Sequence, residues 1–206
     1  MPQLYLRLAL FFVLSVPPLY WLYQAWIFAL GPDPGKTILL NLGQWALALT
    51  LATLSMTPLQ QLTGWRWVVF RRQLGLWAFT YAGLHLGAYL FFVLGFDFAQ
   101  LGIEIQNRPY ILVGSIAFVC LAALGSTSNK YAIRKLGRRW KELHKTIYVA
   151  GTLALLHMLW IVRSDLAEWV LYASVFTFLM VLRIPVISRV LKVVGGHFRN
   201  RKENVI

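Results

Sequence analysis

Four histidines, His85, His144, His157 and His197, are the residues in this chain best suited to chemistry. His85 and His157 stand deep inside long apolar runs. An ionisable group at that depth in a membrane is costly; it is either functional or a neutral imidazole bonded to a neighbouring helix. With helix starts near residues 74 and 143, the two lie about 11 and 14 residues in, roughly 16 and 21 Å along the helical rise. Both runs point the same way, so the imidazoles reach one level. Two imidazoles from facing helices are the ligand set of a six-coordinate haem iron. A bare metal ion would need further ligands, and no Asp or Glu lies within the apolar runs except at their mouths.

His144 precedes His157 by 13 residues, roughly 20 Å along the same helix and about 220° beyond three full turns. The two therefore do not share one face of a straight helix. Counting 13 back from His85 gives Arg72, so a second bis-histidine pair is incomplete. Arg71 and Arg72 have the fork geometry that pairs with haem propionates or a flavin phosphate; the plainer reading is that they set topology. Small residues (Ala82, Gly83, Gly87, Ala88, and Ala150, Gly151, Ala154) surround the two deep histidines and suit either a flat ring or close helix packing. No C-x-x-C-H occurs, so any haem is non-covalent and b-type. The single Cys120 excludes an internal disulfide or a four-thiolate centre. No nucleophile–base–acid set is present, so no catalytic residue is assigned. His197 falls in the polar tail and is expected to be solvated.

Elements that position such residues must be membrane helices. Of 206 residues, 59% are hydrophobic and 13% charged, yet the net charge is +13. A soluble domain is nearer one quarter charged, and too little polar surface remains for a nucleic-acid binder. An all-α bundle of six spans is predicted, at about 5–29, 38–56, 74–94, 110–125, 143–162 and 168–187, as a single domain 1–206 with a basic tail 188–206. The fourth is expected to gain a turn at either end. Pro17 and Pro18 should kink the first span. Seventeen of the 20 basic residues fall on one side, giving that side +15 and the other −2. Basic loops face the cytoplasm, which puts both termini inside; the tail also suits anionic lipid.

Longer motifs carry a resemblance. They are T-P-L at 57–59, R-R-Q-L-G-L-W-A-F-T-Y-A-G-L-H-L at 71–86 and R-P-Y-I-L-V-G at 108–114. L-G-R-R-W-K-E-L-H-K-T-I-Y at 136–148 and L-A-L-L-H-M-L-W at 153–160 complete the set. With these the chain resembles the MsrQ (YedZ) family of the ferric-reductase-like transmembrane group, most closely from Gly31 to Pro185. The resemblance implies a bacterial inner-membrane subunit with b-type haem, one or two, and an association with FMN. It implies electrons taken from the quinone pool, or from a cytoplasmic flavin reductase. They pass to MsrP, a periplasmic molybdopterin enzyme that reduces methionine sulfoxide in oxidised proteins. The subunit itself is then an electron carrier, not the sulfoxide reductase. His85, His144 and His157 match the family's haem histidines, and Arg72 stands where the wider group has a fourth. The partner would dock on loops 30–37, 95–109 or 163–167. The competing readings are another b-type cytochrome subunit, or a haem-free transporter or structural protein with proton-relay histidines.

Overall fold

Long apolar runs separated by capping and breaking residues set where the helices begin and end. The computed structural model describes residues 2–162 and 166–203, and every regular element among them is helical. The helices are α1 (Pro2–Trp26), α2 (Pro34–Thr63), α3 (Arg71–Ala88), α4 (Phe98–Asn107) and α5 (Pro109–Ser126). They continue with α6 (Lys130–Leu136), α7 (Arg138–Leu143), α8 (Thr146–Ile161), α9 (Ala167–Val181) and α10 (Pro185–Glu203). A 3-10 turn at Trp67–Phe70 leads into α3, and a π-helical turn at Tyr89–Val93 extends it. Asp33 accepts from the Lys36 N–H at 2.9 Å and Pro34 follows it, which starts α2; Gly64, at φ 70°, ends it.

Four stretches are long and apolar enough to cross a bilayer: Gln3–Trp26, Pro34–Thr63, Trp67–Val93 and Pro109–Ser126. A fifth is added if α9 and the start of α10, bent by 83°, count as one span. The fourth stretch overruns its predicted limits by one residue at each end, not by a turn. The last two predicted spans are shorter as helices. α8 has 16 residues and α9 has 15, roughly 24 and 22 Å. His144 and Lys145 form a turn before α8. Leu182–Ile184 break the helix ahead of Pro185, whose ring disfavours a helical residue before it. Most of the predicted loop 95–109 is the helix α4, and the predicted tail lies within α10 as far as Glu203. Arg163, Asp165 and the His197 side chain lie outside the described residues.

α2 is the central post. Leu42, Ala46 and Leu49 pack on Leu74, Ala78 and Tyr81 of α3. Lower down, Leu51 and Leu54 meet Leu124 of α5, Ile147 of α8 and Leu179 of α9. The outer faces are apolar and exposed, as at Phe12 and Phe178, which is the inverse of a soluble surface and suits lipid contact.

Of the three prolines inside helices, Pro17, Pro18 and Pro58, the last two are each matched by a side chain. Proline has no N–H, so the carbonyl four residues earlier loses its donor, and lipid supplies none. Pro18 frees Leu14, and the hydroxyl of fully buried Tyr81 donates to the Leu14 carbonyl at 2.8 Å. Pro58 frees Leu54, and Arg183 Nη2 donates to the Leu54 carbonyl at 2.7 Å. Arg183 Nε also donates to the Tyr148 hydroxyl at 3.0 Å. Arg183, near the end of the last predicted span, is a half-buried tie between α2, α8 and α9. Tyr81→Phe should therefore cost about 1–3 kcal/mol, the range for orphaning a buried acceptor. Denaturant unfolding in detergent measures this, with exposed Tyr131→Phe as the reference. Equal stability of the two variants would contradict the role given to Tyr81.

Candidate functional site

His85 projects from α3 and His157 from α8, and their ring centres come to 6.2 Å with planes at 89°. Each ring is aimed by one hydrogen bond. Nδ1 of His85 lies 2.8 Å from the Leu39 carbonyl of α2, and Nδ1 of His157 lies 2.6 Å from the Tyr110 carbonyl of α5. A carbonyl has no proton to give, so each Nδ1–H is the donor. That fixes the neutral tautomer and leaves the Nε2 lone pair available.

A glycine stands four residues after each of those carbonyls. A Cβ at Gly43 would sit 3.0 Å from Nδ1 and Cε1 of His85; one at Gly114 would sit 2.7 Å from Nδ1 of His157. The missing Cβ lets each imidazole lie on the neighbouring helix and reach its carbonyl. Sequence reasoning did not select Gly43, Gly114, Leu39 or Tyr110 as site residues. A glycine in an apolar helix signals close approach, but only the fold shows what approaches. Among the small residues it did select, Gly151 accommodates Phe176 of α9, while Gly87 has open space around its Cβ position.

The pair passes a simple test for a shared metal. Two metal–imidazole bonds of about 2 Å, with about 1 Å more from each nitrogen to its ring centre, span roughly 6 Å. The observed separation of the ring centres, 6.2 Å, is of that size. An Nδ1–H held by a carbonyl is the usual support of a ligating histidine. Among the described residues no third His, Cys, Asp or Glu joins the pair. Two axial imidazoles suffice for an iron already held by a macrocycle, but not for a bare ion.

The other predicted site residues gather at the opposite end. His144 sits in the turn before α8, so the helical-face objection does not apply to it. Its ring stacks on Trp140 at 3.9 Å, and its Nε2 lies 3.2 Å from Thr127 Oγ1. Burial first, and then the Arg71 charge, push its pKa below the ordinary histidine value, so the ring is neutral at pH 7. Arg71 is half-buried and within electrostatic reach of Tyr148 and Arg183 as well. Arg72 is exposed and donates through Nε to the Ser128 carbonyl at 2.7 Å. Between the two ends, Phe79 and Phe118 stack at 5.7 Å. Tyr81 and Tyr148 are held in the structural ties described above.

Residues 40–156 match the family described as the ferric reductase like transmembrane component. That range contains His85, His144, Gly43 and Gly114 and stops just before His157. The chain is also similar to the protein-methionine-sulfoxide reductase heme-binding subunit MsrQ of Brucella anthropi. The two are 40% identical over 187 residues, which is 91% of this chain and 81% of the relative.

The glycine seats make their own prediction. Gly114→Ala should displace His157 and destabilise the protein by about 1–3 kcal/mol through overpacking. Gly102→Ala, in open space on α4, should be neutral or stabilising. Unfolding midpoints in detergent compare them, and similar midpoints would show that the seat is not tight.

Proposed function

This chain belongs to the ferric reductase-like transmembrane family, in its MsrQ branch, and from that premise we propose that it carries electrons through b-type haem to a methionine sulfoxide reductase partner. The observation that carries this reading is the His85–His157 pair, with both Nδ1 atoms anchored and neither Nε2 bonded among the described residues. The name of the Brucella anthropi relative supports haem binding and a reductase system.

In this reading, His85 and His157 hold the haem iron through Nε2, and the Leu39 and Tyr110 carbonyls fix the planes of their rings. Gly43 and Gly114 keep those rings close against α2 and α5. The apolar bundle around them excludes water, which favours electron transfer over side reactions. A haem bound there supplies a reversible one-electron step. His144, Arg71 and Arg72 serve the other end. The neutral His144 is suited to a second haem iron, and the guanidinium groups to haem propionates or the phosphate of FMN.

The same reading gives six spans, with α8 and α9 as short ones, in a bacterial inner membrane. Both termini are cytoplasmic, as the basic loops require. Residues 1–206 make one domain, and the basic end of the chain lies on anionic lipid. Electrons enter from quinol, or from a cytoplasmic flavin reductase, near the His144 end. They leave from the His85–His157 end to a periplasmic MsrP-type molybdoenzyme, which performs the sulfoxide chemistry.

Reduced-minus-oxidised visible spectra of the purified protein, expressed with haem supplied, test this directly. His85→Ala and His157→Ala should each lose most bound haem, and His197→Ala should retain it. Equal haem retention in all three would reject the ligand assignment, and a colourless wild type would reject the cytochrome reading. Quinol should reduce the haem in membranes. The periplasmic partner with a sulfoxide substrate should reoxidise it.

A further inference from the structure

Tyr89 lies four residues beyond His85, one turn further along the same helical face. Its hydroxyl is buried and has no hydrogen-bond partner among the described residues. An orphaned hydroxyl in an apolar medium is unfavourable, so it is open to an acceptor that enters from outside the chain as well as to Glu104 Oε2, which outside its ion pair with Arg108 is likewise buried without a hydrogen-bond partner among the described residues.

The facing side of the same end is also built from donors. Arg108 Nη1 donates to the Tyr110 hydroxyl at 3.1 Å, and Arg108 Nε lies 2.9 Å from Glu104 Oε2. The Glu104 side chain is 15% exposed and that of Arg108 49%, so the carboxylate anchors the guanidinium while part of it stays free. Because the Tyr110 oxygen accepts from Arg108, its own proton is available. Tyr110 is tied to the histidine pair twice: its carbonyl takes the His157 N–H, and its ring lies 6.2 Å from the imidazole. Glu104, Arg108 and Tyr110 form one linked cluster, and Tyr89 lies within electrostatic reach of all three.

We propose that Tyr89, Arg108 and Tyr110 form the receptor for the carboxylate edge of a haem held between His85 and His157. This rests on the function proposed above. A haem carries two carboxylates on an otherwise apolar disc. Inside a bundle those groups need hydrogen-bond donors, preferably charged ones. Arg71 cannot serve them: it lies 14 residues before His85, about 21 Å away along α3. Glu104 is a positioning residue that holds Arg108 in place.

The test uses the full-length apo-protein in detergent, titrated with haem b and with haem b dimethyl ester, whose carboxylates are blocked. Wild type should bind the ester at least about tenfold more weakly, as expected for losing a charge-assisted hydrogen bond. Tyr89→Phe should weaken haem b about tenfold and leave the ester unchanged, so the preference collapses. Its unfolding midpoint should not fall, because the hydroxyl has no hydrogen-bond partner among the described residues to lose. Arg108→Gln should also reduce the preference. Equal wild-type affinity for both ligands would overturn the proposal. So would a Tyr89→Phe variant that weakens both alike, which marks a packing role. Binding of neither ligand by wild type is a different result: it would overturn the haem assignment on which the proposal stands.

Discussion

A helix carbonyl inside an apolar bundle already accepts one backbone hydrogen bond and keeps a second lone pair. At Leu39 and Tyr110 that second lone pair takes an imidazole N–H. Each bond sets a tautomer and a ring direction, and joins two helices, α3 to α2 and α8 to α5. An alanine at either glycine would crowd the bond, because a Cβ at Gly43 would lie 3.0 Å from His85 Nδ1 and one at Gly114 2.7 Å from His157 Nδ1, so the ring would have to shift. The chemistry thus depends on what two neighbouring helices leave out as much as on the histidines themselves. A histidine held this way is also rigid, which suits a ligand whose orientation tunes a metal.

The same scarcity of donors governs the helices that contain proline. The carbonyls freed by Pro18 and Pro58 are answered by Tyr81 and Arg183. Both donors come from distant parts of the chain and tie their own helices in doing so. Tyr81 secures α1, which otherwise buries only Leu14 and Trp21 among its described residues. Arg183 secures the end of α9 to α2 and α8. A charged side chain at that depth is tolerable because its N–H groups meet the Leu54 and Leu179 carbonyls and the Tyr148 hydroxyl.

The two ends of the bundle differ in chemical character. One has the paired imidazoles, with the Tyr110 ring beside His157 and the Glu104–Arg108 pair bonded to Tyr110 through Arg108. The other has a neutral His144 stacked on Trp140, with Arg71 and Arg72 nearby. Phe79 and Phe118 fill the interval between them. An arrangement with paired imidazoles at one end and a histidine with two guanidinium groups at the other suits the conduit proposed above. It suits a single closed reaction centre less well.

Quantities that run along one dimension were legible in the sequence. Apolar run length marked four of the long apolar helices, and the rise per residue placed His85 and His157 at one level. These hold because a helix converts residue number into depth with little freedom. The helix limits at Leu143–Lys145 and Leu182–Ile184 were less legible, since an apolar run continues through a break that only turn geometry and Pro185 impose. Rotation about each helix axis was not legible at all. Only the packed bundle decided that Gly43 and Gly114 face the imidazoles, that Tyr81 and Arg183 answer prolines, and that His144 leaves its helix to meet Thr127. Each of these is a contact between segments far apart in sequence. Such contacts follow from which carbonyls lack donors and where a missing Cβ admits a ring, and both are properties of helices in three dimensions.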